Sequence, residues 1–227
     1  MEMSLPVLII GRSGSGKTYS LKNCSHENFG ILSVEKGRLP FKTSLKVTRV
    51  PEFKDKDHSP AQSAVARYTW ITNVFRNCKT KSVVIDDSQY LLASEFFDRA
   101  MEKGYDKYTA MGANFRDLIH NINANPDDDK IVYFLHHSEL ADDGREKVKT
   151  IGKMLDEKLC VEGCFDVVIY CQDQIFYTQA NGQSVAKSPD GMFPLEMPND
   201  LTAVDAAIRE YYDMASNKPA EKKQEDK

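Results

Sequence analysis

Residues 11–18 read Gly-Arg-Ser-Gly-Ser-Gly-Lys-Thr and follow directly on the apolar run Val7–Ile10. A buried strand, then a turn of the form G-x-x-x-x-G-K-[ST], then a helix start leaves few folds open to a chain. Glycines let the backbone turn so that successive N–H groups converge on an anion, and the helix start adds the positive end of its dipole. On that chemistry Gly11, Arg12, Ser13, Gly14, Ser15, Gly16, Lys17, Thr18 and Tyr19 are candidate nucleotide-binding residues. Lys17 is expected on the β- and γ-phosphates of ATP and the Thr18 hydroxyl on Mg²⁺.

A strand that feeds such a turn needs neighbours. Apolar runs at Gly30–Val34, Val83–Ile85, Ile131–Leu135 and Val167–Tyr170 alternate with amphipathic segments at Thr18–Cys24, Ala61–Asn77, Gln89–Lys103, Met111–Ile122 and Asp205–Met214. The alternation predicts an α/β fold with a mostly parallel sheet flanked by helices. Farther on, Ile175–Gln179 and Val185–Lys187 flank Asn181-Gly182, a two-residue turn signal, so a β-hairpin is expected near the C-terminal edge. Of the 227 residues, 1–215 read as one domain. Residues 216–227, with four lysines, three acidic residues and no large apolar side chain, read as a disordered charged tail.

Composition narrows the partners. Thirty Lys+Arg against thirty-four Asp+Glu give a net charge of −4, so no global positive field draws the chain to nucleic acid and any such contact must be local. No apolar run approaches the roughly 18 residues of a membrane span, and a cytoplasmic protein is expected. Five scattered cysteines read as reduced thiols; Cys160-x3-Cys164 lacks the second Cys/His pair of a zinc site.

Val83-Val84-Ile85-Asp86-Asp87 is a Walker B pattern, an apolar strand delivering a carboxylate at the edge where α/β sheets bind ligands. Asp86 is expected to hold Mg²⁺ through water, and Asp87 either orients that group or polarises the attacking water.

With these motifs the chain resembles the RecA-like P-loop ATPases. Its second strand, Gly30-Ile31-Leu32-Ser33-Val34, ends in Glu35, where the resemblance implies the general base for hydrolysis. The strand Ile131–Leu135 runs into His136-His137, and the γ-phosphate sensor maps onto one of these two, His137 being preferred. The resemblance also implies two DNA-binding loops. The first, about Lys103–Tyr108, offers Lys103 and Lys107 to phosphates and Tyr105 and Tyr108 to bases; the second, about Leu140–Ile151, carries Arg145, Lys147 and Lys149. Lys187 is the candidate cation reaching a neighbouring subunit's γ-phosphate. Lys149–Leu155, Phe165–Ile169, Ala186–Phe193 and Pro198–Leu201 look like the phage-encoded Sak-type single-strand annealing ATPases, which implies a bacteriophage source and the host cytoplasm.

The leading expectation is therefore a Mg²⁺-dependent ATPase of phage DNA recombination. It would bind single-stranded DNA, assemble as a homo-oligomeric ring or filament, and meet a single-strand DNA-binding protein. A small-molecule or nucleotide kinase is the runner-up, weakened because only Arg145 stands where an arginine-rich lid would. A non-catalytic nucleotide-gated adaptor is the third reading.

Overall fold

The structure, a computed structural model, describes residues 3–35, 38–54 and 57–216. In chain order the strands are β1 (Leu5–Gly11), β2 (Phe29–Ser33), β3 (Val47–Arg49), β4 (Ser82–Asp86), β5 (Ile131–Leu140), β6 (Glu146–Val148), β7 (Val167–Gln172), β8 (Ile175–Tyr177) and β9 (Glu196–Pro198). The α-helices are α1 (Pro60–Asn77), α2 (Gln89–Asp98), α3 (Asp106–Asn123), α4 (Lys153–Asp156) and α5 (Leu201–Tyr211), with 3₁₀ helices at Thr18–Asn23 and Glu162–Cys164.

β1 is buried along its whole length because it has a parallel neighbour on each side, β5 and β7. The sheet order is β3-β2-β4-β5-β1-β7-β8-β9; β3 through β7 run parallel, β8 and β9 antiparallel, and β6 folds back on the end of β5. The strand that delivers Asp86 is thus separated from the phosphate-loop strand by β5.

Both faces are covered, and the two-residue period of the strands sorts their side chains between them. Leu8, Ile10, Val83, Ile85, Val132 and Phe134 meet Ile71 and Phe75 of α1, Leu91 of α2 and Phe115 and Leu118 of α3. Val7, Ile9, Val84, Tyr133 and Ile169 meet Leu21 of the first 3₁₀ helix and Leu201, Val204 and Ile208 of α5. Such two-sided burial explains why these strands read as continuous apolar runs.

At the edge of the sheet away from the phosphate loop, α5 is pinned by polar groups. Asp205 accepts from the Ser82 hydroxyl, from Tyr133 Oη at 3.0 Å and from Arg209 Nε at 2.7 Å. Arg209 also donates to the carbonyls of Asp129, Ala215 and Lys81. Helix α1 opens with a capping box between Ser59 and Gln62, and Asp200 caps α5 through the Thr202 N–H.

Four expectations are corrected. The segment Thr18–Cys24 forms a six-residue 3₁₀ helix: the Ser20 hydroxyl turns back onto the Lys17 carbonyl at 2.6 Å, and Cys24 leaves in extended geometry. Helix α2 stops at Asp98, and α3 begins at Asp106, so Asp106–Tyr108 is helical where a loop was expected. The hairpin lies elsewhere. β8 pairs with β7 across Asp173-Gln174, both at positive φ (50° and 61°) as a primed two-residue turn requires, and Val185–Lys187 forms no strand but touches the sheet through the Val185 N–H on the Glu146 carbonyl (3.1 Å) and the bridge of Lys187 to Val168. Most of Leu140–Ile151 is the β5–β6 hairpin. Of the expected tail 216–227, all but Ser216 lies outside the described residues.

Candidate nucleotide-binding site

The loop after β1 turns through Gly14 (φ 82°) and Gly16 (φ 111°), conformations that L side chains rarely adopt. At Gly11 a Cβ would strike the Cys171 carbonyl, so glycine is required there by close approach to backbone, and at Gly16 a Cβ would push against Asn199 Nδ2. The loop is held from outside. The Ser15 carbonyl accepts from the Gln174 N–H at 3.0 Å and the Gly16 carbonyl from Asn199 Nδ2 at 2.9 Å. Gln174 belongs to the β7–β8 turn and Asn199 to the β9–α5 connection, so the C-terminal part of the chain clamps the loop.

Lys17 is 5% exposed, and its ammonium bonds the carbonyls of Gly11 (2.7 Å) and Arg12 (2.9 Å). The cation lies folded over the loop whose anion it is placed to meet. Thr18 Oγ1 donates to Asp86 Oδ1 at 2.9 Å, bringing the expected magnesium ligands together from the 3₁₀ helix after the phosphate loop and the end of β4. Hydroxyl and carboxylate oxygens with a cleft in front suit a hard cation that keeps most of its waters. Burial first, and the neighbouring Asp87 carboxylate second, push the Asp86 carboxyl up to about 6. A carboxylate in this condition gains from an adjoining cation.

Asp87 sits at φ 59°, a strained geometry for a residue other than glycine, and its carboxylate lies 3.4 Å from His137 Nε2. The two histidines divide by strand alternation. His136 is buried, its ring nitrogens bonded to Ser88 Oγ and the Lys149 carbonyl at 2.9 Å each, and burial drives its pKa down to about 3. His137 faces the cleft and stands edge-on to Tyr90.

These groups surround a cleft of about 350 Å³ lined by Ser13, Gly14, Gly16, Lys17, Thr18, Tyr19, Asp86, Asp87 and His137, and closed at the far side by Arg38, Pro40 and Gln174. Gln174 and Asn199 escaped sequence reading because an amide in a loop carries no pattern of its own. Glu35 is exposed beyond the end of β2 and is not part of this lining. Arg12 points out of the cleft and pairs with Glu146 of β6 at 2.6 Å, which also accepts from Ser138.

The candidate DNA-contacting cations are dispersed. Lys107 Nζ donates to the Arg99 carbonyl at the end of α2 (3.3 Å) and to the Glu102 carbonyl in the loop after it (2.8 Å). Arg145 pairs with Asp143 at 2.7 Å, and Lys147 with Asp156 (2.5 Å) and Glu139 (3.4 Å). Lys103 and Tyr105 are exposed between α2 and α3, Tyr108 is half-buried near Phe96, and Lys149 is exposed beside Arg12. Lys187 is exposed and bonds Val168 through its backbone, three strand positions before the phosphate loop in the register of β1 and β7. No described helix is long and apolar enough to cross a membrane.

No protein-family model matches the chain, and no curated protein matches it. Among solved structures it is similar to a prototypical ATPase from the type III secretion system of pathogenic bacteria. The similarity covers 91% of this chain and 62% of that one, at 14% identity and a TM-score of 0.46. The chain thus spans less than two thirds of that protein's length.

Proposed function

We propose that this RecA-like chain binds ATP with Mg²⁺ and hydrolyses it. The observation that carries the reading is the meeting of Thr18 Oγ1 and Asp86 Oδ1 at 2.9 Å beneath a glycine loop that no Cβ at Gly11 or Gly16 would leave undisturbed. On binding, the Lys17 ammonium exchanges its own loop carbonyls for phosphate oxygens, and the loop N–H groups receive the rest of the charge. Mg²⁺ would be held by Thr18 directly and Asp86 through water, and would neutralise phosphate charge. Asp87 with His137 polarises the attacking water: both line the cleft and pair with each other, whereas Glu35 lies outside its lining.

Single-stranded DNA and a role in phage recombination are the finer reading that the sequence resemblance implies. On this surface it is favoured by Lys103 and by Tyr105, which is 73% exposed and free to stack. The test is Mg²⁺-dependent ATP hydrolysis with and without single-stranded DNA, with Lys17→Ala as the blank. Turnover lost at least about 100-fold in Lys17→Ala is expected. Asp87→Asn should lose hydrolysis while keeping ATP, and Glu35→Gln should keep both; the reverse pattern returns the base to Glu35. Turnover indifferent to DNA would remove the recombination reading and leave a kinase or a nucleotide-gated adaptor.

A further inference from the structure

A second cleft of about 380 Å³ opens on the other side of the phosphate loop and shares Ser13 and His137 with the nucleotide cleft. Its remaining wall includes Arg12, Gln89, Tyr90, Lys149 and one carboxylate, Glu139, which is paired with Lys147 at 3.4 Å. Gln89, the first residue of the ten-residue helix α2, is 7% exposed, and among the described residues its side-chain amide has no hydrogen-bond partner. The part of that amide that stays accessible opens into the cleft, where its N–H groups can donate to an anion. Gln89 lines this cleft and not the nucleotide cleft. Across from it, Lys149 has no ion-pair partner among the described residues, and Arg12, paired through one side to Glu146, keeps 61% of its side chain exposed.

We propose that this cleft is a second ligand site, which takes the phosphate group of a small molecule between the Lys149 ammonium, the Arg12 guanidinium and the Gln89 amide. The charge distribution selects a compact anion over a polyanion. The neighbouring cations of the β5–β6 hairpin, Arg145 and Lys147, are held by Asp143, Asp156 and Glu139, so they do not extend the positive wall of the cleft. The start of α2 adds its dipole to the same side. Because His137 belongs to both walls, the second ligand and the terminal phosphate of the nucleotide meet across one imidazole. The inference rests on the nucleotide reading above.

The experiment saturates the nucleotide cleft with Mg²⁺ and a non-hydrolysable ATP analogue, so that its γ-phosphate position is filled, and then titrates inorganic phosphate by calorimetry. Binding of the analogue itself tests the nucleotide reading separately. One saturable phosphate site is expected, weakened about tenfold or more in Lys149→Ala and in Gln89→Leu, each with the analogue still bound. Saturable phosphate binding that both variants leave unchanged would overturn the proposal, as would no phosphate binding to the analogue-loaded protein. So would a site that takes an oligonucleotide with a salt slope of several phosphates and ignores phosphate alone.

Discussion

β4 is five residues long and each of its ends meets a buried carboxylate. At its start Ser82 touches Asp205, 2% exposed, which takes hydrogen bonds from Ser82, Tyr133 and Arg209 and stands against a cation. At its end Asp86, 4% exposed, takes the Thr18 hydroxyl and the Asp87 N–H but stands against a second carboxylate. Burial is nearly equal, so burial does not separate a structural acid from a functional one. The difference is compensation: the network at Asp205 carries its own countercharge, and that at Asp86 leaves room for one to arrive.

Three measurements sharpen or break that contrast. Arg209→Met removes the cation from a buried carboxylate and should cost about 3–5 kcal/mol in urea unfolding; a loss below 1 kcal/mol would mean that Asp205 is not held as argued. Asp86→Asn should do the opposite. Because the folded pKa of Asp86 is raised, its contribution to stability is complete below the unfolded value and is lost as pH rises from about 4 through about 6. Above that window the nucleotide-free variant should be more stable than the parent by on the order of 2 kcal/mol while losing Mg²⁺-dependent turnover. Equal stability at pH 8 would place Asp86 in the same class as Asp205. The smallest effect belongs to Asn199→Ala, which frees the Gly16 carbonyl and should weaken ATP about fivefold, roughly 1 kcal/mol, with folding stability little changed.

The sheet was legible because its strands are buried on both faces, so that Val7–Ile10 and Val83–Ile85 carry an uninterrupted apolar signal. The phosphate loop was legible because its glycines answer to backbone geometry. The hairpin was misplaced because Asn181-Gly182 is the stronger turn dipeptide, yet the sheet's edge pairing selected Asp173-Gln174, whose positive φ values tertiary contacts impose. Asp143, two residues from Arg145, already dilutes the charge of the second loop in sequence; Asp156 becomes visible as the partner of Lys147 only in space. The Asp205–Arg209 spacing is an ordinary helical pair in sequence, and nothing in it announces Ser82 or Tyr133.

The position of β1 in the middle of the sheet has a consequence in time. Leu5 pairs with Ile131, and Val7 with Val167, so the strand that carries the phosphate loop has neither neighbour until about 120 further residues have been made. At about 5–20 residues per second, more than about six seconds pass on the ribosome before β5 can reach it. Through that interval the run Leu5–Ile10 is an unsheltered apolar strand, a natural client for a chaperone. Yield during expression should therefore depend on translation speed and temperature even where the finished protein is stable.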